Sequence, residues 1–253
     1  MGLGWGGVEP FPFLEQFGGF ITMSHYRWTI CTLLFAATTI NYLDRQALSV
    51  LQPILQAEFH WTDGDYGTIT AIFSIAYAIS MLFAGRFVDW LGTKKGYAWA
   101  IGLWSLGACI HALCGIATEA FVGGESSSTL KAAAGPFFIP TVSAVSVVMF
   151  VFARIVLAVG ESGNFPAAIK ATAEYFPKHD RAFATGIFNS GANIGAILAP
   201  LVVPFVATAW GWEMAFVFVG VMGFMWLIFW LIYYKPLEEN QKVNAAERAY
   251  ILQ

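Results

Sequence analysis

Residues 154–166 read RIVLAVGESGNFP, and they sit inside an apolar run that covers residues 142–173. Arg154 and Glu161 are seven residues apart there, about two turns on one helical face. If the run crosses a bilayer, both ionisable groups are costly inside it, and a functional site becomes the default hypothesis. The competing reading is a structural ion pair in a helix bundle.

The composition supports the bilayer. Of 253 residues, 58% are hydrophobic and 11% charged, with a mean hydropathy of +0.64; a soluble protein carries about a quarter charged residues. The apolar runs are long and continuous rather than short and alternating, so the expected class is all-α integral membrane. The net charge of −3 and the lack of a basic patch point to no nucleic-acid partner. Cys31, Cys109 and Cys114 lie in apolar segments without metal-site spacing and read as packing residues. His25, His60, His111 and His179 are scattered, and no Ser-His-Asp set or phosphate loop appears, so neither an enzyme nor a metal or organic cofactor is expected. Residues 1–22 contain no Lys or Arg and lack the basic start and apolar core of a signal peptide, while Met23, followed by SHYRW, makes a more ordinary beginning.

Six spans are expected, at about 28–53, 66–87, 97–115, 142–168, 182–206 and 212–234, each near the ~20 residues needed to cross ~30 Å of hydrocarbon. They form one unit over 27–234, preceded by a tail, 1–26, and followed by a polar segment, 235–253, suited to a short surface helix. A long connection of 116–141 separates the third and fourth spans. Six spans put both termini on one side. That side holds Arg27, Arg86, Lys94, Lys95, Lys170, Lys178, Arg181, Lys235, Lys242 and Arg248, and the other only Lys131, so both termini are expected to be cytoplasmic.

Four charges lie deep in the spans: Asp44 and Arg45 in the first, Arg154 and Glu161 in the fourth. Two acids and two bases neutralise each other, and the plain reading is two salt bridges clamping those helices together. The functional reading is that an arginine fork in a membrane cavity binds a carboxylate and a neighbouring acid carries a proton, a device for moving an organic anion with protons. Asn41, Tyr42, Gln46, Tyr77, Asn164, Asn189 and Asn193 could serve a polyhydroxylated ligand, although each alone equally fits a bridge between helices. Gly191 and Gly195, four apart in the fifth span, suit close helix contact.

Between the second and third spans the chain reads GRFVDWLGTKK, residues 85–95. This resembles the signature loop of the major facilitator superfamily, G-x-x-x-D-x-x-G-x-[KR]-[KR], at the place the family requires. The NYLDR of the first span, the R-x(6)-E-x(4)-P of the fourth and the segment YFPKHDRAFATGIFNSGANIGAILAP, 175–200, resemble its anion:cation symporter family, and most closely the bacterial hexuronate branch. The resemblance covers nearly the whole chain from residue 27. It implies a six-helix N-terminal bundle of a major facilitator fold in a bacterial inner membrane. It further implies symport of a small anionic sugar such as glucuronate or galacturonate with protons as the coupling ion, by alternating access. Asp44 and Glu161 would carry the protons; Arg45 would hold the substrate carboxylate and Arg154 couple protonation to binding; Tyr42, Tyr77 and Asn193 would line the sugar site. Gly85, Asp89, Gly92, Lys94 and Lys95 would form the gating loop. Such transporters have twelve spans in two halves, so the C-terminal half is expected as a missing partner. Rival readings are another sugar acid or carboxylate as cargo, and a membrane sensor or subunit that does not transport.

Overall fold

A computed structural model describes residues 23–122 and 139–253. All regular structure among them is helical: α1 (Tyr26–Phe59), α2 (Asp63–Leu91), α3 (Thr93–Val122), α4 (Ile139–Glu161), α5 (Asn164–Tyr175), α6 (Arg181–Trp210), α7 (Trp212–Tyr233) and α8 (Ala245–Ile251). The expectations for residues 1–22 and for the centre of the long connection fall outside the described residues.

Among the described residues, five segments are long and apolar enough to cross a membrane: α2, α3, α4 with α5, α6 and α7. The first expected span, α1, has the length at 34 residues but not the apolarity, because Asn41, Asp44, Arg45 and Gln46 interrupt it. The helices overrun the expected spans. α3 continues past Gly115 to Val122, and α4 begins at Ile139, so the connection is shorter than 116–141. Nothing between Ile116 and Val122 breaks a helix, and hydropathy marks only the part of a helix that matches hydrocarbon.

The expected fourth span is two helices, not one. α4 stops at Glu161 and α5 starts at Asn164. Pro166 has no N–H to return to the carbonyl of Ser162, and it sits in the first turn of α5, where that loss is tolerated. The break therefore falls directly after the buried carboxylate.

Packing follows the small residues. α1 lies along α6, α3 is flanked by α4 and α7, and α2 rests on α4. A Cβ on Gly191 would lie 2.5 Å from the Phe35 carbonyl and one on Gly195 2.3 Å from that of Thr39, so the α6–α1 contact is backbone to backbone, as their spacing predicts. α2 buries only Ile69, Ala84 and Val88 and presents Ile75, Ile79, Leu82, Phe83 and Phe87 outward. Trp104, Trp226 and Trp230 are core residues, whereas Trp210 is exposed.

The tail after α7 folds back beneath the bundle. Glu247 on α8 is fully buried and takes the N–H groups of Tyr26 at 3.0 Å and Arg27 at 3.1 Å, with Ser24 donating to the same carboxylate. A distant carboxylate thus caps α1, whose own cap residue, His25, supplies no side-chain bond. Arg27 pairs with Glu247 at 3.6 Å and lies 4.6 Å over the ring of Tyr250, which donates to Asp180 at 2.8 Å. Replacing Glu247 with alanine is expected to loosen α8 by about 1–2 kcal/mol, the worth of a helix cap. Tryptic cleavage after Arg248 should then accelerate about tenfold, with Glu247→Gln intermediate; equal rates in all three proteins would show that α8 is held by other contacts.

Candidate functional site

The charges singled out in the sequence converge where α1, α2 and α4 meet. Arg45 donates from Nη2 at 2.8 Å and from Nε at 3.1 Å to one oxygen of Glu161, Oε2. Glu161 is fully buried and its Oε1 has no partner among the described residues, whereas the Arg45 side chain is 25% exposed. The pair therefore joins a fully buried carboxylate to a side chain that is only partly buried. Aromatic rings surround the guanidinium: Tyr77 at 4.5 Å, Tyr42 at 5.3 Å and Phe73 at 5.8 Å from its carbon. Their faces attract the cation and exclude water from it.

Arg154 is buried one layer deeper. Its guanidinium carbon lies 5.2 Å over the Phe73 ring, and its Nε has no partner among the described residues. Asp44 is buried with both carboxylate oxygens unpartnered among the described residues, and the charges of Glu161, Arg154 and Arg45 all act on it. Of the two salt bridges the plain reading expected, one forms, Arg45–Glu161; Asp44 and Arg154 interact at longer range. The four charges sum to zero, and Asp44, Arg154 and Glu161 each keep a buried polar atom without a partner among the described residues.

Asn193 and Asn189 are exposed on α6, on the side turned away from the glycines that contact α1, and no hydrogen bond among the described residues joins them to the Arg45–Glu161 pair. Asn41 is buried with its amide unpartnered among the described residues, and Asn164 accepts from Tyr97 at 2.7 Å. Phe73 is the residue that sequence reasoning missed. It lies four positions before Tyr77, hence on the same helical face, and that spacing was the available signal.

The signature loop lies between α2 and α3. Gly92 has φ +78°, a conformation that favours glycine, and it ends α2. Asp89 pairs with Lys170 of α5 at 2.7 Å on the surface. The Lys94 carbonyl accepts from the indole of Trp230 at 3.1 Å, while Lys95 is exposed. Thr93 and Tyr234 both donate to Glu174, Thr93 at 2.5 Å, so the loop is tied to α5 and to the end of α7. A Cβ on Gly85 would meet open space, so packing here does not demand glycine.

The chain resembles transporters of sugar acids. It is 33% identical over 226 residues to the galacturonate transporter of Dickeya chrysanthemi, covering 89% of this chain and 57% of that protein. It is 31% identical to the hexuronate transporter of Escherichia coli (strain K12), covering 89% of this chain and 45% of the relative. A probable L-galactonate transporter of the same organism is 27% identical over 88% of this chain and 42% of its own length. The chain thus spans about half the length of the curated relatives it matches. Among solved structures, a bacterial homolog to the human lysosomal transporter Spinster, in an inward-facing and unoccupied conformation, shares the fold. Its TM-score is 0.62 at 20% identity, over 83% of this chain and 43% of that one. These relatives are transporters, not enzymes. The family model of the Major Facilitator Superfamily matches residues 34–252, and the chain belongs to that superfamily.

Proposed function

We propose that the chain is the N-terminal six-helix half of a proton-coupled symporter for an organic anion, most specifically a hexuronate such as galacturonate or glucuronate. The observation that carries this reading is the Arg45–Glu161 pair, with a fully buried carboxylate and an arginine side chain that is only partly buried and ringed by Tyr42, Phe73 and Tyr77. The printed cargoes of the relatives, galacturonate, hexuronate and L-galactonate, are all sugar acids. Such a ligand needs one cation for its carboxylate and hydroxyl groups for its sugar, which Arg45, Tyr42 and Tyr77 offer at the pair.

The mechanism uses competition for Arg45. In the unloaded state Glu161 occupies the Nε and Nη2 edge of the guanidinium. A proton on Glu161 removes the opposing charge, the fork is released, and the substrate carboxylate takes it. Asp44 accepts a second proton, and Arg154 senses the state of both acids. Once loaded, the half rocks against a C-terminal six-helix partner, with the bound anion between the two. The break after Glu161 gives α4 and α5 room to move separately. Asp89, Gly92, Lys94, Lys95 and Gly85 act as a cytoplasmic gate through the Asp89–Lys170 contact. In this reading α1 is the sixth crossing. Its 34 residues reach about 51 Å, and its charged stretch faces protein rather than lipid. This half lies in the bacterial inner membrane with residues 23–27 and the segment after α7 on the cytoplasmic side, a placement that the Lys and Arg distribution supports.

Uptake of labelled galacturonate into vesicles carrying the intact gene product tests the cargo class. Unlabelled galacturonate and glucuronate should compete, and galactose, which lacks the carboxylate, should not. Equal competition by galactose would overturn the anion reading, and stronger competition by galactonate would move the cargo to an aldonate.

A further inference from the structure

His111 has no part in the mechanism above, yet it is fully buried in α3. Its Nδ1 lies 2.7 Å from the carbonyl oxygen of Gly107. A carbonyl only accepts, so Nδ1 carries the hydrogen, and in the neutral ring Nε2 is left as a lone-pair acceptor. That nitrogen is buried and has no partner among the described residues. The ring is held in place, stacked on Phe216 at 4.9 Å and met edge-on by Phe150 at 5.9 Å.

The seam between α3 and α4 indicates what Nε2 faces. A Cβ on Gly163 would strike Ala100, one on Gly160 would strike the backbone of Trp104, and one on Gly107 would strike the backbone of Leu157. These pairs step antiparallel along the two helices in successive layers. The next layer sets His111 against Ala153, whose small side chain is fully buried, and brings it level with Arg154. The charge of Arg154 acts on His111, consistent with that register. Arg154 carries a complementary orphan: its Nε–H is buried and unpartnered among the described residues. Asp44 and Glu161 act on the Arg154 charge over a longer range without a hydrogen bond to it, so this donor and the His111 acceptor, on neighbouring layers of a tightly packed helix pair, are both left open where buried polar groups are otherwise bonded to protein or internal water.

We propose that His111 is a positioning residue for Arg154, its Nε2 accepting the Arg154 Nε–H through one internal water. Phe73 meets the guanidinium itself, its ring 5.2 Å from the guanidinium carbon, so the head group and the Nε–H would each have a fixed neighbour. The consequence for cargo binding rests on the function proposed above; the His111–Arg154 link does not.

The test has two readouts on the chain in lipid nanodiscs. In protein labelled with ¹⁵N-histidine, the His111 Nε2 signal should be that of an unprotonated nitrogen accepting a hydrogen bond. Arg154→Lys, which keeps the charge and removes Nε–H, should shift it towards a free acceptor. A signal unmoved by Arg154→Lys, or a protonated Nε2, overturns the link, and this readout needs no substrate. The second readout is galacturonate affinity in the intact gene product. His111→Gln keeps an acceptor near the Nε2 position and should bind within about twofold of the unsubstituted protein. His111→Asn, which keeps only the Gly107 bond, and His111→Phe, which keeps only the packing, should each lose about tenfold, the worth of one charge-assisted hydrogen bond. Equal losses in all three, or full binding by His111→Phe, would overturn the positioning role.

Discussion

Arg45→Lys should weaken hexuronate binding about ten- to hundredfold while leaving the fold intact. Lysine keeps a positive charge beside the buried Glu161, so the carboxylate is not stranded. What it loses is the planar fork: arginine offers two parallel donors to a carboxylate, and lysine is a point charge on a flexible stem. A hydrogen bond to a charged group contributes about 1.5–3 kcal/mol, which converts to that range of affinity. The three rings around the guanidinium add to the loss, since they match a flat cation. Arg45→Met should behave differently. It leaves Glu161, which is fully buried, without its only ion-pair partner among the described residues, and should cost about 3–5 kcal/mol of stability. The double variant Arg45→Met with Glu161→Gln should recover most of that stability and none of the binding. Thermal unfolding and isothermal titration in nanodiscs separate the two effects. If Arg45→Lys binds galacturonate as tightly as the unsubstituted protein, the substrate carboxylate does not dock on Arg45.

The chemistry of this site was readable before its geometry. Asp44, Arg45, Arg154 and Glu161 stood out because charge in an apolar run needs a reason, and that argument requires only residue type and position. Which acid meets which base was not readable. Asp44 and Arg45 are adjacent and so point about 100° apart on α1; helix rotation decides that Arg45 reaches Glu161 and Asp44 does not reach Arg154 within ion-pair range. Phe73 and His111 were lost among 23 Phe and four scattered His, since an aromatic or a histidine in an apolar helix reads as core until its neighbours are known.

Helix ends were less legible than helix centres. Hydropathy sees the hydrocarbon layer, whereas α1 and α2 are ended by local conformation, His60 at φ 56° and Gly92 at φ 78°. The break after Glu161 was written in Pro166, which also reads as an ordinary kink in a membrane helix. The contacts between α8 and the start of α1 were invisible, because Glu247 caps a helix more than two hundred positions earlier in the chain. A carboxylate in a short polar tail gives no sign that it is buried.

Glu161→Gln should abolish concentrative uptake and spare exchange. Glutamine has nearly the shape of the protonated acid and cannot release a proton. The variant is therefore fixed in the state that, in the proposed cycle, frees the Arg45 fork for substrate. Binding should persist or tighten, because the carboxylate that occupies Nε and Nη2 is gone. Counterflow, in which labelled and unlabelled galacturonate trade places across a vesicle membrane, requires only the loaded carrier to turn over and should continue. Accumulation driven by a proton gradient requires the carrier to discharge protons on the far side. Each coupled proton supports about tenfold accumulation per pH unit of gradient, so the loss is large and easily read. Asp44→Asn provides the contrast. Asp44 makes no ion pair among the described residues, so its neutralisation should lower the accumulation ratio without releasing Arg45, and binding should change little. A Glu161→Gln protein that still concentrates galacturonate against its gradient would place the coupling proton elsewhere. The Arg45–Glu161 pair would then be a structural clamp between α1 and α4, the plain reading of the four deep charges.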